Sequence, residues 1–152
     1  MDAREPWDRI ATRLEETFGA GVRGIAAFGS RARGDHRTDS DYDVLLVADG
    51  LAADPFDRAR QLGGVALLLH GVGVQVVART PCEFEADVTP LHLDLALDAR
   101  VLVERGGYLS ARLARLRELL AEAGLERGRD LFWRWRRPHC RDWAITWDGV
   151  RV

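Results

Sequence analysis

Hydrophobic residues fall into short uninterrupted runs along the chain, and these runs alternate with stretches of helical period. Short apolar runs are typical of buried strands, whereas apolar residues three or four positions apart are typical of one helix face. The runs predict strands over residues 22–28, 42–48, 72–78 and 101–104. The helical pattern predicts helices over 5–18, 54–70, 89–99 and 109–123, with a helical turn over 30–33. The pattern therefore predicts one α/β unit.

The end of the chain is predicted to be helical and then aromatic and basic. An apolar stripe marks the helix and consists of Leu109, Leu113, Leu116 and Leu120. We expect a single domain over 1–152, with a helical extension over about 109–137 and a Trp/Arg-rich tail over 131–152. This composition allows three roles for the tail. Its tryptophans can pack on the sheet while the arginines stay in water, or the tail can form an interface with a protein or with nucleic acid.

Two carboxylates open the second predicted strand. Side chains alternate along an extended chain, so Asp41 and Asp43 point to the same side and Tyr42 to the other. Mg²⁺ prefers oxygen ligands and is commonly bound by one or two carboxylates together with substrate phosphates. Asp41 and Asp43 are therefore the candidate metal ligands and catalytic residues.

A glycine and a serine close the first predicted strand. Gly29 permits a close backbone approach, and the amides of a Gly-Ser turn can bind phosphate oxygens. Arg31 and Arg33 bring positive charge to the same segment. Gly29, Ser30, Arg31 and Arg33, together with the two carboxylates, are the candidate nucleotide-binding residues.

The order Gly29-Ser30, a spacer of ten residues and Asp41-Tyr42-Asp43 resembles the minimal nucleotidyltransferases of the DNA polymerase β superfamily. The longer match, Gly-Ser-Arg-Ala-Arg-Gly followed by Ser-Asp-Tyr-Asp, is most similar to the small bacterial members paired with HEPN-domain toxins. The resemblance implies a nucleotidyltransferase fold, with a mixed β-sheet flanked by helices. It also implies Mg²⁺ as cofactor and ATP as substrate. In toxin-paired members AMP is transferred to a tyrosine of the toxin, which makes the chain the antitoxin.

One position departs from the family pattern. A third carboxylate usually stands on the next strand, and the position that aligns here is Gln75. A carboxamide offers a neutral oxygen and cannot accept a proton from an attacking hydroxyl. Glu83, Asp87 and Glu104 are alternative carboxylates, although Thr80 and Glu83 have the spacing of a helix capping box.

Gln75 leaves open whether the chain is an active enzyme. The leading hypothesis is transfer of AMP to a HEPN-type toxin encoded nearby. The alternative is an impaired nucleotidyltransferase fold that neutralises a partner by binding alone. Transfer to a small molecule such as an aminoglycoside ranks third, because such enzymes usually carry a further helical domain.

Composition restricts the reaction classes, the partners and the location that the protein could have. All 22 basic residues are arginines, which excludes P-loop and Schiff-base lysine chemistry. The net charge of −2 argues against nucleic acid as the main partner and leaves a protein partner or a second copy of the chain. Two cysteines are too few for a disulfide framework, and no stretch has the apolar character of a membrane span or signal peptide, so we expect a cytoplasmic protein.

Overall fold

The computed structural model describes residues 2–152, and Met1 of the expected domain lies outside them. The helices are α1 Glu5–Phe18, α2 Gly29–Arg33, α3 Pro55–Ala66, α4 Pro81–Ala86, α5 Pro90–Asp98 and α6 Tyr108–Ala123, with a 3₁₀ turn at Gly19–Gly21. The strands are β1 Val22–Phe28, β2 Tyr42–Ala48, β3 Val74–Arg79, β4 Arg100–Glu104, β5 Leu125–Arg127, β6 Trp133–Trp135, β7 Ala144–Thr146 and β8 Gly149–Arg151. The predicted helix over 54–70 is shorter than expected and ends at Ala66.

Four strands form the main sheet, in the order β3-β2-β1-β4. β1 is antiparallel to both β2 and β4, whereas β2 and β3 run parallel. The mixed sheet implied by the family resemblance is thereby confirmed. β1 and β2 are the central strands, and β3 and β4 are the edges.

Both faces of the central strands are buried, which explains why β2 is apolar without interruption. Val44 and Leu46 join one core, in which Ile10 and Leu14 of α1 are fully buried. The other residues of β2, Leu45 and Val47, belong to a second core together with residues of α4, α5 and α6. The helix residues include Phe84, Leu95, Leu109 and Leu116. Within residues 2–152, no helix has the length and apolar character needed to cross a membrane.

The prediction of a helical extension to about residue 137 is wrong. α6 ends at Ala123, because Gly124 adopts the left-handed conformation with φ of 68°. The chain then forms the β5–β6 hairpin, in which Leu125 pairs with Trp135 and Arg127 with Trp133. Alternation of Trp and Arg is the period of a strand, and Trp133 packs against the second core.

Candidate nucleotide and metal site

The two candidate carboxylates lie at the middle of the main sheet, at the amino end of β2. Asp43 pairs with Phe28 of β1 on one side and with Gln75 of β3 on the other. Asp41 directly precedes the strand, so the strand alternation directs both carboxylates to one side. Tyr42 faces the opposite side, where its ring and the Trp7 ring form a T-shaped pair with a centroid distance of 4.9 Å.

Each carboxylate lies against a glycine. Gly29 has φ of +75°, and a Cβ at this position would overlap the Asp43 carboxylate. A Cβ on Gly73 would overlap the Asp41 carboxylate, and the Gly73 carbonyl accepts a hydrogen bond of 2.9 Å from the amide of Tyr42. Sequence reasoning found Gly29 and missed Gly73, whose only signal was a glycine immediately before an apolar strand.

The acid pair is electrostatically unfavourable without a cation. Burial raises the pKa of Asp43, and the neighbouring charge of Asp41 raises it further, while Arg33 opposes both effects. A repulsive pair of carboxylates is what a bound divalent cation relieves. This environment therefore favours a cation between the two side chains.

Gln75 lies beside the acids, at the position where the family resemblance places a third carboxylate. Its side chain is exposed, and Nε2 donates a hydrogen bond of 3.1 Å to Oδ2 of Asp41. Two of the three alternative carboxylates have other partners. Glu83 completes the predicted capping box with Thr80, and the hydrogen bond from Arg58 is the main cause that lowers its pKa to about 2. Glu104 accepts a hydrogen bond of 2.9 Å from the amide of Ser110.

Arg31 donates hydrogen bonds to the spacer between α2 and β2. Its Nε donates to the Ser40 carbonyl at 2.7 Å, and Nη2 donates to the Thr38 carbonyl at 3.2 Å. The guanidinium also lies 4.3 Å from the centre of the Tyr42 ring. In this position Arg31 fixes the loop that leads to Asp41.

Arg33 connects α2 to a buried carboxylate on α5. Its Nη1 donates to Oδ2 of Asp98 at 3.0 Å, and Arg127 of β5 binds both oxygens of Asp98 at 2.8 and 2.6 Å. Burial alone would raise the pKa of Asp98, but the hydrogen bonds from Arg127 and Arg33 outweigh it and hold the pKa below its usual value. This network ties the C-terminal hairpin to the helix that follows Gly29.

The donor set fits a hard divalent cation. Asp41 and Asp43 supply carboxylate oxygens, and each carboxylate packs against a glycine at which a Cβ would overlap it. Within residues 2–152, no group of three or more His, Cys, Asp or Glu side chains has an arrangement that could hold a metal. A site of two carboxylates matches the coordination preference of Mg²⁺, which takes its remaining ligands from phosphates and water.

The sequence model of the nucleotidyltransferase domain matches residues 8–103, so the chain belongs to this family. Two proteins of Methanocaldococcus jannaschii, provisionally named as protein adenylyltransferases, are similar to it. MJ0604 is 27% identical over 67% of this chain and 99% of its own length. MJ1305 is 23% identical over 74% of this chain and 80% of its own. The chain is thus a member of the nucleotidyltransferase family and is similar to these two proteins.

Solved structures share the fold. A toxin–antitoxin with AMP-PNP superposes with a TM-score of 0.53 at 16% identity, covering 80% of this chain and 92% of that one. A tri-AMPylated Shewanella oneidensis HEPN toxin in complex with MNT antitoxin superposes with a TM-score of 0.52 at 15% identity, covering 79% of this chain and 91% of that one. At these identities the likeness establishes the fold, which is that of minimal nucleotidyltransferases.

Proposed function

We propose that this protein transfers AMP from ATP to a hydroxyl of a protein partner, with Mg²⁺ as cofactor, and thereby acts as an antitoxin. The partner would be a HEPN-type toxin and the acceptor one of its tyrosines. The observation that carries the proposal is the pair Asp41 and Asp43, directed to one side of β2 and packed against Gly29 and Gly73. The named relatives support protein adenylylation as the activity.

The residues have distinct roles in this reaction. Asp41 and Asp43 would hold Mg²⁺, which supplies positive charge to the phosphates of ATP. Gly29 and Ser30 provide backbone against the triphosphate. The acceptor oxygen forms a bond to the α-phosphorus, the bond from that phosphorus to the bridging oxygen breaks, and pyrophosphate leaves. The hydroxyl proton passes to water, because the amide of Gln75 offers no basic atom.

A second function is inhibition by binding alone, and Gln75 is the observation that favours it. The amide donates to Asp41 where a carboxylate would add negative charge and a proton acceptor. A chain with this site could retain ATP and partner binding and lack measurable transfer. In that case the protein would silence its partner by occupying it.

Radiolabelled ATP distinguishes these functions. The purified chain is incubated with α-labelled ATP, Mg²⁺ and the product of the neighbouring gene, in parallel with the chain alone and with an aminoglycoside. Label on the protein partner is expected, and Asp41→Asn should abolish it. The matched control is Asp49→Asn at the far end of β2, where the carboxylate pairs with Arg23 at 2.8 Å.

The outcomes separate the two functions. Silencing of the partner without label would establish inhibition by binding alone. Label on the chain itself would show that the protein modifies its own sequence. Transfer that continues in both Asp41→Asn and Asp43→Asn would refute the proposed site.

A further inference from the structure

A pocket lies at the same end of the main sheet as the two acids, but on the opposite face. Ala27 of β1 pairs with Val44 of β2 and with Arg100 of β4, so these three residues share the face that packs on α1. Tyr42, two residues before Val44, faces the same side, and Asp43 faces the other. The sheet therefore separates this pocket from the acids.

The lining of this pocket is rich in arginine. It has a volume of about 450 Å³, which lies within the range of pockets that bind small molecules. A single carboxylate, that of Asp2, belongs to the lining. We call it the arginine pocket after four residues from α2, β4 and the start of α1: Arg4, Arg31, Arg33 and Arg100.

Three of the four arginines lack an acidic partner. Within residues 2–152, Arg4, Arg31 and Arg100 form no ion pair with a carboxylate. Arg33 differs, because it is paired with Asp98 at 3.0 Å. The pocket thus carries more positive charge than its one carboxylate can neutralise, and a concave surface of one sign concentrates ions of the opposite sign.

Arg31 is held in place and keeps donors to spare. A guanidinium has five N–H groups, and Arg31 uses one from each nitrogen, for the Ser40 carbonyl, the Tyr42 hydroxyl and the Thr38 carbonyl. Two N–H groups remain for a ligand. The Tyr42 ring below the guanidinium is itself supported by Trp7, which is only 6% exposed. An anion bound here would require little ordering of Arg31, which favours affinity.

The positive region is small. The neighbouring pocket on the outer side of α1 is lined by four carboxylates and two arginines, and it shares Asp2 with the arginine pocket. A long polyanion that entered the arginine pocket would meet Glu5 and Asp8 beyond it. This arrangement favours a compact anion, in agreement with the net charge of −2.

We propose that the arginine pocket binds the phosphate group of a small ligand no larger than a nucleotide. Arg4, Arg31 and Arg100 are the phosphate-binding residues, since a guanidinium matches phosphate oxygens with two parallel N–H donors. The ligand is distinct from the ATP of the proposed reaction, because the acids and Gly29 contact each other on the other side of β2. Free pyrophosphate and a phosphorylated metabolite share this chemistry.

Binding in this pocket would also reach the loop before Asp41. Arg31 donates to the carbonyls of Thr38 and Ser40, so a ligand on its remaining N–H groups would bind a side chain that already restrains this loop. The pocket is therefore placed to stabilise the segment that leads to the acids from the opposite face of the sheet.

Isothermal titration calorimetry without Mg²⁺ and with EDTA tests the site. The probes are inorganic pyrophosphate and AMP, and the tighter of the two identifies the source of the phosphate. Arg100 is exposed on an edge strand, so Arg100→Gln should fold, and we expect it to weaken binding about tenfold, equivalent to ~1.4 kcal/mol. Arg4→Gln should act similarly, and Arg100→Lys, which keeps the charge, should lose less.

The matched control is Arg141→Gln. Arg141 is exposed, precedes β7 and forms no ion pair within the described part of the chain. Its replacement removes the same charge and should leave the affinity for both probes unchanged. An equal loss of affinity in Arg141→Gln would reduce the effect to overall charge and overturn the proposal.

Two further measurements locate the ligand. The side-chain Nε–H signals of Arg31 and Arg100 should shift in NMR spectra as pyrophosphate is added. Gly29→Ala should keep its affinity for pyrophosphate without metal, and Arg100→Gln should keep its affinity for ATP with Mg²⁺. Loss of pyrophosphate binding in Gly29→Ala would place the anion at the acids instead and refute a separate site.

These tests do not depend on transfer of AMP, so they can succeed where the proposed function fails. Absence of saturable binding of both probes, or unchanged affinity in both Arg4→Gln and Arg100→Gln, would overturn the arginine pocket as a phosphate site. A short single-stranded RNA that binds more tightly than AMP, and loses this affinity in Arg100→Gln, would refute the assignment to a small ligand.

Discussion

Replacement of Asp98 by asparagine should destabilise the protein strongly. The side chain is 5% exposed and accepts hydrogen bonds from Arg127 at 2.8 and 2.6 Å and from Arg33 at 3.0 Å. Asp98→Asn keeps the shape, removes the charge and turns one acceptor into a donor that faces a guanidinium. Two arginines then lose the buried carboxylate that neutralises them.

The size of the destabilisation depends on which acidic partners the two arginines keep. Loss of one partner of a buried ion pair costs about 3–5 kcal/mol. Arg127 keeps Asp94 at 3.0 Å and Arg33 keeps Asp35 at 3.2 Å, which favours the lower end of that range. A loss of about 3 kcal/mol in a chain of this size lowers the Tm by roughly 6–12 °C.

Thermal and urea unfolding followed by circular dichroism measure this effect. The control is Asp130→Asn, which breaks an exposed pair with Arg134 and should leave the Tm almost unchanged. A loss below about 1 kcal/mol for Asp98→Asn would refute the view that this network anchors the hairpin.

The pH dependence supplies an independent check on the same residue. The folded state lowers the pKa of Asp98, so its contribution to stability is present above the unfolded pKa of about 3.9. The contribution is lost as pH falls from there through the folded pKa. Wild type and Asp98→Asn should therefore converge in stability toward the acid end, and a constant difference down to the lowest pH would contradict this assignment.

Three further variants test the site. Asp43→Asn should raise the Tm of the metal-free protein, because it removes a repulsive charge that burial disfavours; an unchanged Tm would refute the repulsion. Gly29→Ala should weaken binding of ATP with Mg²⁺ in calorimetry, because of its positive φ and the overlap with Asp43, whereas Gly63→Ala, with open space around it, should bind normally. If wild type silences its partner without transferring AMP, Gln75→Asp should produce measurable transfer of label. Continued silence would show that Gln75 is not the only defect.

The central strands and the acid pair could be predicted from sequence because their signals are local. An apolar run of strand length and an Asp-x-Asp before it need only the two-residue period of an extended chain. Gln75 was identified from the family pattern, and the pairing of β3 with β2 in the structure places it beside Asp43.

The C-terminal hairpins and the Asp98 network lacked such signals. β5 and β6 have three residues each, so the alternation of Trp and Arg in β6 is too short to outweigh the adjacent leucine stripe, which extended the helical interpretation past Gly124. Asp98 and Arg127 are 29 positions apart, so their contact depends on how the hairpin folds back onto α5. Long-range pairs of this kind are determined by packing, which a local pattern does not report.

The most direct test of the account is the intact mass of the partner after incubation with this protein, ATP and Mg²⁺. We predict that the partner gains the mass of whole AMP groups with wild type and with Asp49→Asn, and gains none with Asp41→Asn or Asp43→Asn. An unmodified partner with wild type, or an AMP adduct that persists in both site variants, would contradict the proposal that Asp41 and Asp43 direct nucleotidyl transfer.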